Sequence, residues 1–154
     1  MTKVVILGGG PGGYEAALVG AQLGGEVTLI ERDGLGGAAV LTDCVPSKTL
    51  IATAEAMTAI RHAAELGLHV GGADAPEPVS ASVRVDLGAV NRRVLELARA
   101  QSGDIQAKLT AEGVRILKGT GRLDGTEAVI VEAGDGRQRL EADIILVATG
   151  TTPR

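Results

Sequence analysis

Aromatic residues are almost absent from this chain of 154 residues. It contains no phenylalanine and no tryptophan, and Tyr14 is its single aromatic residue. Proteins that bind single-stranded nucleic acid use aromatic rings on which bases stack, together with a positively charged surface. This sequence has neither, because its formal net charge is −4. We therefore expect no nucleic-acid partner.

Cysteine is nearly absent as well, since Cys44 is the only one in the sequence. An intrachain disulfide is excluded, and so are the paired cysteines typical of zinc sites. The two histidines, His62 and His69, stand seven residues apart without a ligand motif around them. We therefore expect no metal site.

Long hydrophobic runs are also missing. No segment approaches the roughly 20 apolar residues that a membrane-spanning helix requires. The amino-terminal apolar run is too short for a signal peptide. Hydrophobic residues nevertheless make up 45% of the chain, which is enough for one buried core. The composition predicts a single cytoplasmic domain without a membrane span.

Glycine is abundant, with 23 residues, and it separates short apolar segments from one another. The β-branched run Lys3–Leu7 predicts a buried strand, Tyr14–Leu23 predicts a helix, and Glu26–Glu31 predicts a second strand. A strand, helix and strand in such close succession predict a right-handed crossover in a parallel sheet.

The middle of the chain alternates between glycine-rich and helical stretches. We interpret Arg32–Asp43 as a loop and Ser47–Leu66 as a helix. Residues Gly67–Val85, with Pro76 and Pro78, are interpreted as an exposed excursion.

A long helix is predicted over Leu87–Glu112. Its apolar residues recur at steps of three and four, which predicts one core-facing stripe. That stripe would consist of Val90, Val94, Leu97, Gln101, Ile105 and Leu109.

The last third of the chain predicts strands. Val114–Leu117 is a third strand of the sheet, and Asp143–Ala148 is a last buried strand. Ala128–Glu132 and Gln138–Glu141 flank Gly134-Asp135-Gly136, which indicates a hairpin.

Residues Gly8–Gly13 fit the pattern G-x-G-x-x-G, with Pro11 and Gly12 between its last two glycines. Gly8 would permit a tight turn, Gly10 would let a pyrophosphate approach the backbone, and Gly13 would let helix and strand pack closely. The helix amino terminus would then offer free N–H groups to the phosphates. Glu31, at the end of the second strand, would accept hydrogen bonds from ribose hydroxyls. The pattern predicts a dinucleotide site without distinguishing FAD from NAD.

Residues 36–48 resemble the redox-active segment of dihydrolipoamide dehydrogenase, glutathione reductase and mercuric reductase. That segment reads G-G-T-C, four residues, then C-hydrophobic-P-S-K. Ala39 stands at the position of the first redox cysteine, and Ala38 stands at the preceding threonine. The positions that match are Gly36, Gly37, Cys44, Pro46, Ser47 and Lys48.

Two further motifs follow in the order of this pyridine nucleotide–disulfide oxidoreductase family. Gly119-Thr120-Gly121 resembles the glycine pair that approaches the adenine, and Ala148-Thr149-Gly150 resembles the segment that passes the flavin nucleotide. The resemblance implies FAD as cofactor. The residues it implies at the cofactor are Gly8, Gly10, Pro11, Gly12, Gly13, Glu31, Gly36, Gly37, Ala38, Lys48, Gly119, Gly121, Ala148, Thr149 and Gly150.

The resemblance also implies an α/β fold. We expect a Rossmann-like FAD-binding domain with a parallel sheet and a small antiparallel β-meander, completed by a returning carboxyl-terminal segment. Family members are longer and carry an NAD(P)-binding domain and a dimerisation domain. We therefore expect residues 1–154 to be the amino-terminal, FAD-binding fragment of a homodimeric flavoprotein that takes hydride from NAD(P)H.

Cys44 and Lys48 are the candidate catalytic residues. Lys48 would favour the reduced flavin electrostatically, whereas Cys44 is either a thiolate near the flavin or a spectator. Because Ala39 removes the exchanging thiol, the pattern resembles the quinone-reducing members, which implies a quinone-like electron acceptor. Two alternatives stay open. One is a dihydrolipoamide dehydrogenase-like protein that uses another thiol, and the other is a non-catalytic FAD- or NAD-binding module.

Overall fold

The computed structural model describes residues 1–70, 77–78, 83–134 and 136–151. In chain order, its elements are β1 (Lys3–Leu7), α1 (Pro11–Gln22), β2 (Glu26–Glu31), α2 (Gly37–Leu41), α3 (Cys44–His62), a 3-10 helix (Ala63–Leu66), β3 (His69–Val70), β4 (Glu77–Pro78), α4 (Leu87–Ala111), β5 (Arg115–Lys118), β6 (Thr120–Leu123), β7 (Ala128–Ala133), β8 (Gly136–Glu141) and β9 (Ile144–Val147).

A four-stranded parallel sheet forms the centre of the molecule, in the order β5-β2-β1-β9. Lys3 lies opposite Glu26 where β1 pairs with β2, and Val4 lies opposite Ile144 where β1 pairs with β9. All of these pairs are parallel, as the β–α–β pattern predicts. The carboxyl ends of β1, β2 and β9 therefore meet at one edge of the sheet.

The two faces of this sheet are buried by different layers. On one face, Ile6 and Leu29 join a core cluster with Leu18 of α1 and Leu109 of α4. On the other face, alternate residues such as Leu7 pack into a second cluster with the antiparallel strands. Since successive side chains of a strand point to opposite faces, continuous apolar runs such as Lys3–Leu7 suit this three-layer arrangement.

The antiparallel layer is a meander in the order β6-β7-β8, as the family resemblance implies. Its β7–β8 part is the hairpin predicted from the sequence; Asp135 in its turn lies outside the described residues. Strand β6 was not predicted. Its sequence, Thr-Gly-Arg-Leu, has no apolar alternation, and it is a strand because it pairs with β7.

The predicted loop Arg32–Asp43 contains the short helix α2, so that prediction was wrong over Gly37–Leu41. Gly36 adopts a left-handed φ of +92° and redirects the chain into this helix. Val40 then reaches the core and is buried. The closely spaced glycines, which normally break helices, concealed this single turn.

The predicted stripe of α4 was partly wrong. Val94 and Leu109 are buried as expected, but Leu97 is 42% exposed and Gln101 is exposed. Ala98 is buried in their place, at 3% exposure. In the middle of α4, the buried face is therefore displaced by one residue, from Leu97 to Ala98. Ala98 contributes little hydrophobicity, so the sequence pattern favoured the larger Leu97.

The segment after α2 differs from expectation only at its boundaries. Helix α3 begins at Cys44, and the 3-10 helix carries the chain to Leu66 before Gly67, at φ +77°, ends it.

In the predicted excursion Gly67–Val85, Pro78 lies in the short strand β4, which pairs with β3. Pro76 lies outside the described residues.

Candidate dinucleotide-binding site

The turn from β1 into α1 is built on two glycines that have no room for a side chain. Gly8 has a φ of +102°, and its N–H donates to the Ile30 carbonyl (2.9 Å). A Cβ at Gly8 would overlap the Ala148 carbonyl oxygen, and a Cβ at Gly13 would overlap the Gly8 carbonyl oxygen. These glycines therefore let α1 start directly against the ends of β1 and β9.

Gly10 and Gly12 in the same turn face open space. A Cβ at either position would meet no protein atom within 4 Å. Gly10 is the N-cap of α1 and offers no side-chain cap, and the first turn of this 12-residue helix holds no acidic residue. The first N–H groups of a helix lie at the positive end of the helix dipole. In α1, Pro11 has no N–H and the Gly13 N–H donates to the Gly10 carbonyl (3.0 Å), so the N–H of Gly12 is the one that faces this space. This space therefore suits the pyrophosphate of a dinucleotide.

Glu31 ends β2 beside this turn, and its carboxylate is bound by main-chain groups. Its Oε2 accepts from the N–H of Gly9 (2.6 Å). Its Oε1 accepts from the N–H groups of Asp33 (2.7 Å) and Gly34 (3.2 Å). The main-chain carbonyl of Glu31 accepts from the N–H of Gly119 (2.9 Å). Glu31 is thus the point at which three chain segments meet.

The segment Gly36-Gly37 lies against residues Gly8–Gly13, which we call the glycine turn. The Gly36 N–H donates to the Gly9 carbonyl (2.8 Å), and a Cβ at Gly37 would lie 2.9 Å from the Cα of Gly10. Gly37 has a φ of +55°. Two stretches separated by more than twenty residues in sequence therefore approach each other through bare backbone.

Gly119 and Gly121 lie where the meander meets the sheet. A Cβ at Gly119 would be 2.6 Å from the Glu132 carbonyl oxygen, and one at Gly121 would overlap the side chain of Leu7. Packing alone accounts for both glycines. Next to Gly119, a cleft of about 830 Å³ is lined by groups that include the cations Arg32, Lys118 and Arg137.

Ala148, Thr149 and Gly150 follow β9 at the same edge of the sheet. The Ala148 N–H donates to the Leu7 carbonyl (2.8 Å), which extends the pairing of β9 with β1 up to the glycine turn. Gly150 then adopts a φ of +68°, and a Cβ there would meet nothing within 4 Å. The segment Ala148-Thr149-Gly150 thus lies beside the glycine turn at the end of β9.

Cys44 and Lys48 lie on the first two turns of α3. The Ala38 carbonyl accepts from the N–H groups of Thr42 (3.0 Å) and Asp43 (2.8 Å), so α2 leads directly into α3. The thiol of Cys44 is free and exposed, and Lys48, one turn later on the same face, is exposed as well. The hydrogen bond that joins the glycine turn to this part of the chain is donated by the N–H of Gly36. Cys44 and Lys48 lie farther along the chain than Gly36.

Gly9 is a residue of the site that the sequence pattern did not single out. Its N–H binds Glu31 and its carbonyl binds Gly36, and a Cβ would lie 2.7 Å from Cδ2 of Leu35. Gly9 stands at a variable position of G-x-G-x-x-G. The motif therefore gives no signal for it.

Three ionisable groups near the site have shifted pKa values. Burial raises the pKa of Tyr14, and the neighbouring Glu15 adds to the shift. The hydrogen bond that Arg32 donates to Asp33 raises the pKa of the Arg32 guanidinium. The hydrogen bond from Arg32 lowers the pKa of Asp33. Both partners of that ion pair are largely exposed, so it adds little stability.

The described residues also exclude two kinds of feature. Among them, no three His, Cys, Asp or Glu side chains come together as a metal site. None of the helices that the structure describes is both long and apolar enough to cross a membrane.

The profile of the pyridine nucleotide-disulphide oxidoreductase family matches residues 2–154, which is nearly the whole chain. The chain belongs to this family. Members of the family use FAD and NAD(P)H. The open turn at Gly10 and Gly12 is compatible with that cofactor, because it offers N–H groups without a competing side chain.

Two kinds of family member are similar in sequence. The NAD(P)H dehydrogenase (quinone) of Mycobacterium tuberculosis is 47% identical, over 100% of this chain and 32% of its own length. The dihydrolipoyl dehydrogenase of Chlorobaculum parvum is 36% identical, over 98% of this chain and 30% of its own length. The chain therefore spans about a third of the length of these relatives.

Solved structures of the family agree with the fold. The crystal structure of LpdA from Mycobacterium tuberculosis matches with a TM-score of 0.86 and 44% identity, over 100% of this chain and 33% of that one. The flavoprotein disulfide reductase RclA from Escherichia coli matches with a TM-score of 0.76 and 20% identity, over 99% of this chain and 30% of its own. The latter likeness concerns the fold alone.

Proposed function

We propose that residues 1–154 form the FAD-binding part of an NAD(P)H-dependent oxidoreductase that passes electrons to a quinone-like acceptor. One observation carries the cofactor assignment. The ends of β1, β2 and β9 bring the glycine turn, Glu31 and Ala148 to one edge of the sheet, and Gly10 and Gly12 leave open space at the start of α1. A dinucleotide crossing this edge would meet each of these groups.

Each group has a distinct task in this proposal. The N–H of Gly12, at the start of α1, would bind the pyrophosphate, with Gly36-Gly37 on its other side. Glu31 would accept a hydrogen bond from the adenosine ribose, and Gly119 would lie by the adenine. Ala148, Thr149 and Gly150 would pass the flavin end, and Lys48 would place a positive charge near it.

Bound FAD supplies the chemistry of accepting a hydride from NAD(P)H and releasing two electrons to a second substrate. The chain's own residues would hold it and orient it. The NAD(P)-binding and dimerisation domains would be supplied outside residues 1–154, and the complete protein would be a cytoplasmic homodimer.

The choice of electron acceptor follows from the number of thiols in the sequence. A disulfide substrate needs an exchanging thiol together with a second thiol that closes the internal disulfide. This chain has Cys44 alone, with Ala39 on α2 at the position that resembles the first cysteine. A quinone accepts electrons without a covalent sulfur intermediate. The 47% identity to a relative named for quinone reduction supports the same choice.

A second function has one observation in its favour. Dihydrolipoyl dehydrogenases are also similar to the chain, at 36% identity in one case. That function requires a second thiol from outside this sequence. A non-catalytic FAD- or NAD-binding module would need only the glycine turn and Glu31.

The cofactor assignment is tested on the purified full-length protein, which we expect to be yellow. Cofactor released by heat is identified by its mass, and NADH is then added anaerobically to the intact holoprotein. We expect FAD, and we expect bleaching of the flavin absorbance. Recovery of NAD alone would contradict the cofactor assignment, and FAD that NADH leaves oxidised would favour the non-catalytic module.

A further inference from the structure

The carboxylate of Glu31 is bound mainly to the protein itself. Three main-chain N–H groups donate to it, those of Gly9, Asp33 and Gly34. Gly9 belongs to the glycine turn, while Asp33 and Gly34 begin the loop that leads to Gly36-Gly37. We propose that Glu31 is a positioning residue that holds this turn and this loop in register before any cofactor binds.

The distribution of hydrogen bonds limits what else Glu31 can bind. An ionised carboxylate has about four acceptor sites, two on each oxygen. Oε1 receives two N–H groups, from Asp33 and Gly34, and Oε2 receives one, from Gly9. One site therefore remains, on Oε2. While the three contacts persist, Glu31 has room for one ribose hydroxyl rather than for two.

Gly9 shows why this arrangement bears on the cofactor. Its N–H is held by Glu31 and its carbonyl is held by the N–H of Gly36 (2.8 Å). Gly10 follows Gly9, and Gly37 follows Gly36. The backbones of Gly10 and Gly37 are therefore close to each other. These are the residues proposed to surround the pyrophosphate. Releasing Gly9 from Glu31 would loosen that approach.

This inference rests on the proposed FAD site for its functional meaning, but its physical content concerns the cofactor-free protein. A glutamate that acted only on the ribose would leave the free protein unchanged when it was replaced. A positioning glutamate leaves main-chain N–H groups without acceptors when it is replaced, and those N–H groups exchange faster with solvent.

The test measures amide hydrogen exchange by NMR on the cofactor-free protein and on Glu31→Gln. The single amide oxygen of glutamine can replace only one of the two carboxylate oxygens. It would take the place of Oε1, which accepts from the two donors Asp33 and Gly34. The NH₂ group would then face the N–H of Gly9 and could not accept from it. We expect Gly9 to exchange on the order of tenfold to a hundredfold faster, the effect of losing one charge-assisted hydrogen bond. Asp33 and Gly34 should keep their protection.

Asp143→Asn is the matched control. Asp143 also accepts a main-chain N–H, that of Lys3 (2.7 Å), but at the opposite end of β1. Its amide oxygen can keep that single bond, so we expect no change at Gly9. A general loss of stability would speed exchange throughout β1 in either variant. The positioning role predicts a change in Glu31→Gln that is confined to Gly9 and to Gly36, whose N–H donates to the Gly9 carbonyl.

Glu31→Ala adds a second measurement, in which all three N–H groups should lose protection. Unchanged exchange at Gly9 in both variants would overturn the positioning role. The isosteric Glu31→Gln keeps the test decisive if the alanine variant fails to fold. Absence of FAD from the wild-type protein would refute the proposed function and leave the exchange result standing.

Discussion

Gly12 and Gly13, which are neighbours in the first turn of α1, have opposite surroundings. Gly13 has no room for a Cβ because the Gly8 carbonyl occupies that space, whereas Gly12 has nothing within 4 Å. The protein's own packing explains the first glycine. No protein atom accounts for the second glycine, and the phosphate of the proposed cofactor would rest in the open space beside it.

This difference predicts opposite effects of two similar substitutions. Gly13→Ala should lower the free energy of unfolding by about 2 kcal/mol or more, because a methyl group meets a main-chain oxygen that cannot move away. Gly12→Ala should raise it by about 0.5–1 kcal/mol, since alanine is the better helix former. Gly12→Ala should still lose FAD. Urea denaturation and the flavin content after dialysis measure the two effects. Full FAD retention in Gly12→Ala would remove this position from the cofactor site.

Helix α4 shows, at the scale of one element, that burial depends on a helix's neighbours as well as on its own sequence. It packs against α1, α2, α3 and β5, each over part of its length. Val94 and Ala98 lie on the covered face, while Leu97, between them in sequence, is turned outward. The arrangement of those partners decides which side of α4 is buried.

Matched truncations on α4 test this assignment. Val94 is 6% exposed and Leu97 is 42% exposed. We expect Val94→Ala to lower the free energy of unfolding by about 1.5–3 kcal/mol, through lost burial and a residual cavity. Leu97→Ala removes a larger amount of side chain but should cost less than about 1 kcal/mol. Equal losses in urea denaturation would mean that the predicted stripe, and not the observed face, is buried.

At the scale of the whole molecule, the electron acceptor depends on which sulfurs are present. The sequence holds Cys44 alone, and that thiol is exposed on α3. Ala39, on α2, offers a methyl group that can neither attack a disulfide nor hold an oxidised sulfur. In the proposed function, electrons that leave the bound flavin would therefore pass directly to a molecule that reaches its ring.

We expect the full-length holoprotein to reduce quinones with NADH or NADPH and to show little reduction of lipoamide. Cys44→Ser should keep most of the quinone activity, because no covalent sulfur intermediate takes part. Steady-state rates with both acceptors, measured on wild type and on Cys44→Ser, provide the comparison. Robust lipoamide turnover that disappears in Cys44→Ser would instead show that a second thiol replaces position 39.

The sequence by itself determined the parallel β–α–β start, the hairpin β7–β8 and the residues of the glycine turn. These features depend on neighbours in the chain: apolar runs, helix formers and glycines at fixed spacing. The family's motif order added the meander and the expectation that distant motifs share one site.

The tertiary structure alone decided which backbone groups meet. The hydrogen bond from Gly9 to Glu31, the contact of Gly37 with Gly10 and the buried face of α4 all depend on segments that lie far apart in sequence. Short-range patterns carry no record of such partners. Gly9 is the clearest case, because its place in the motif admits any residue, and only the folded positions of Leu35 and Glu31 show how little room a side chain has there.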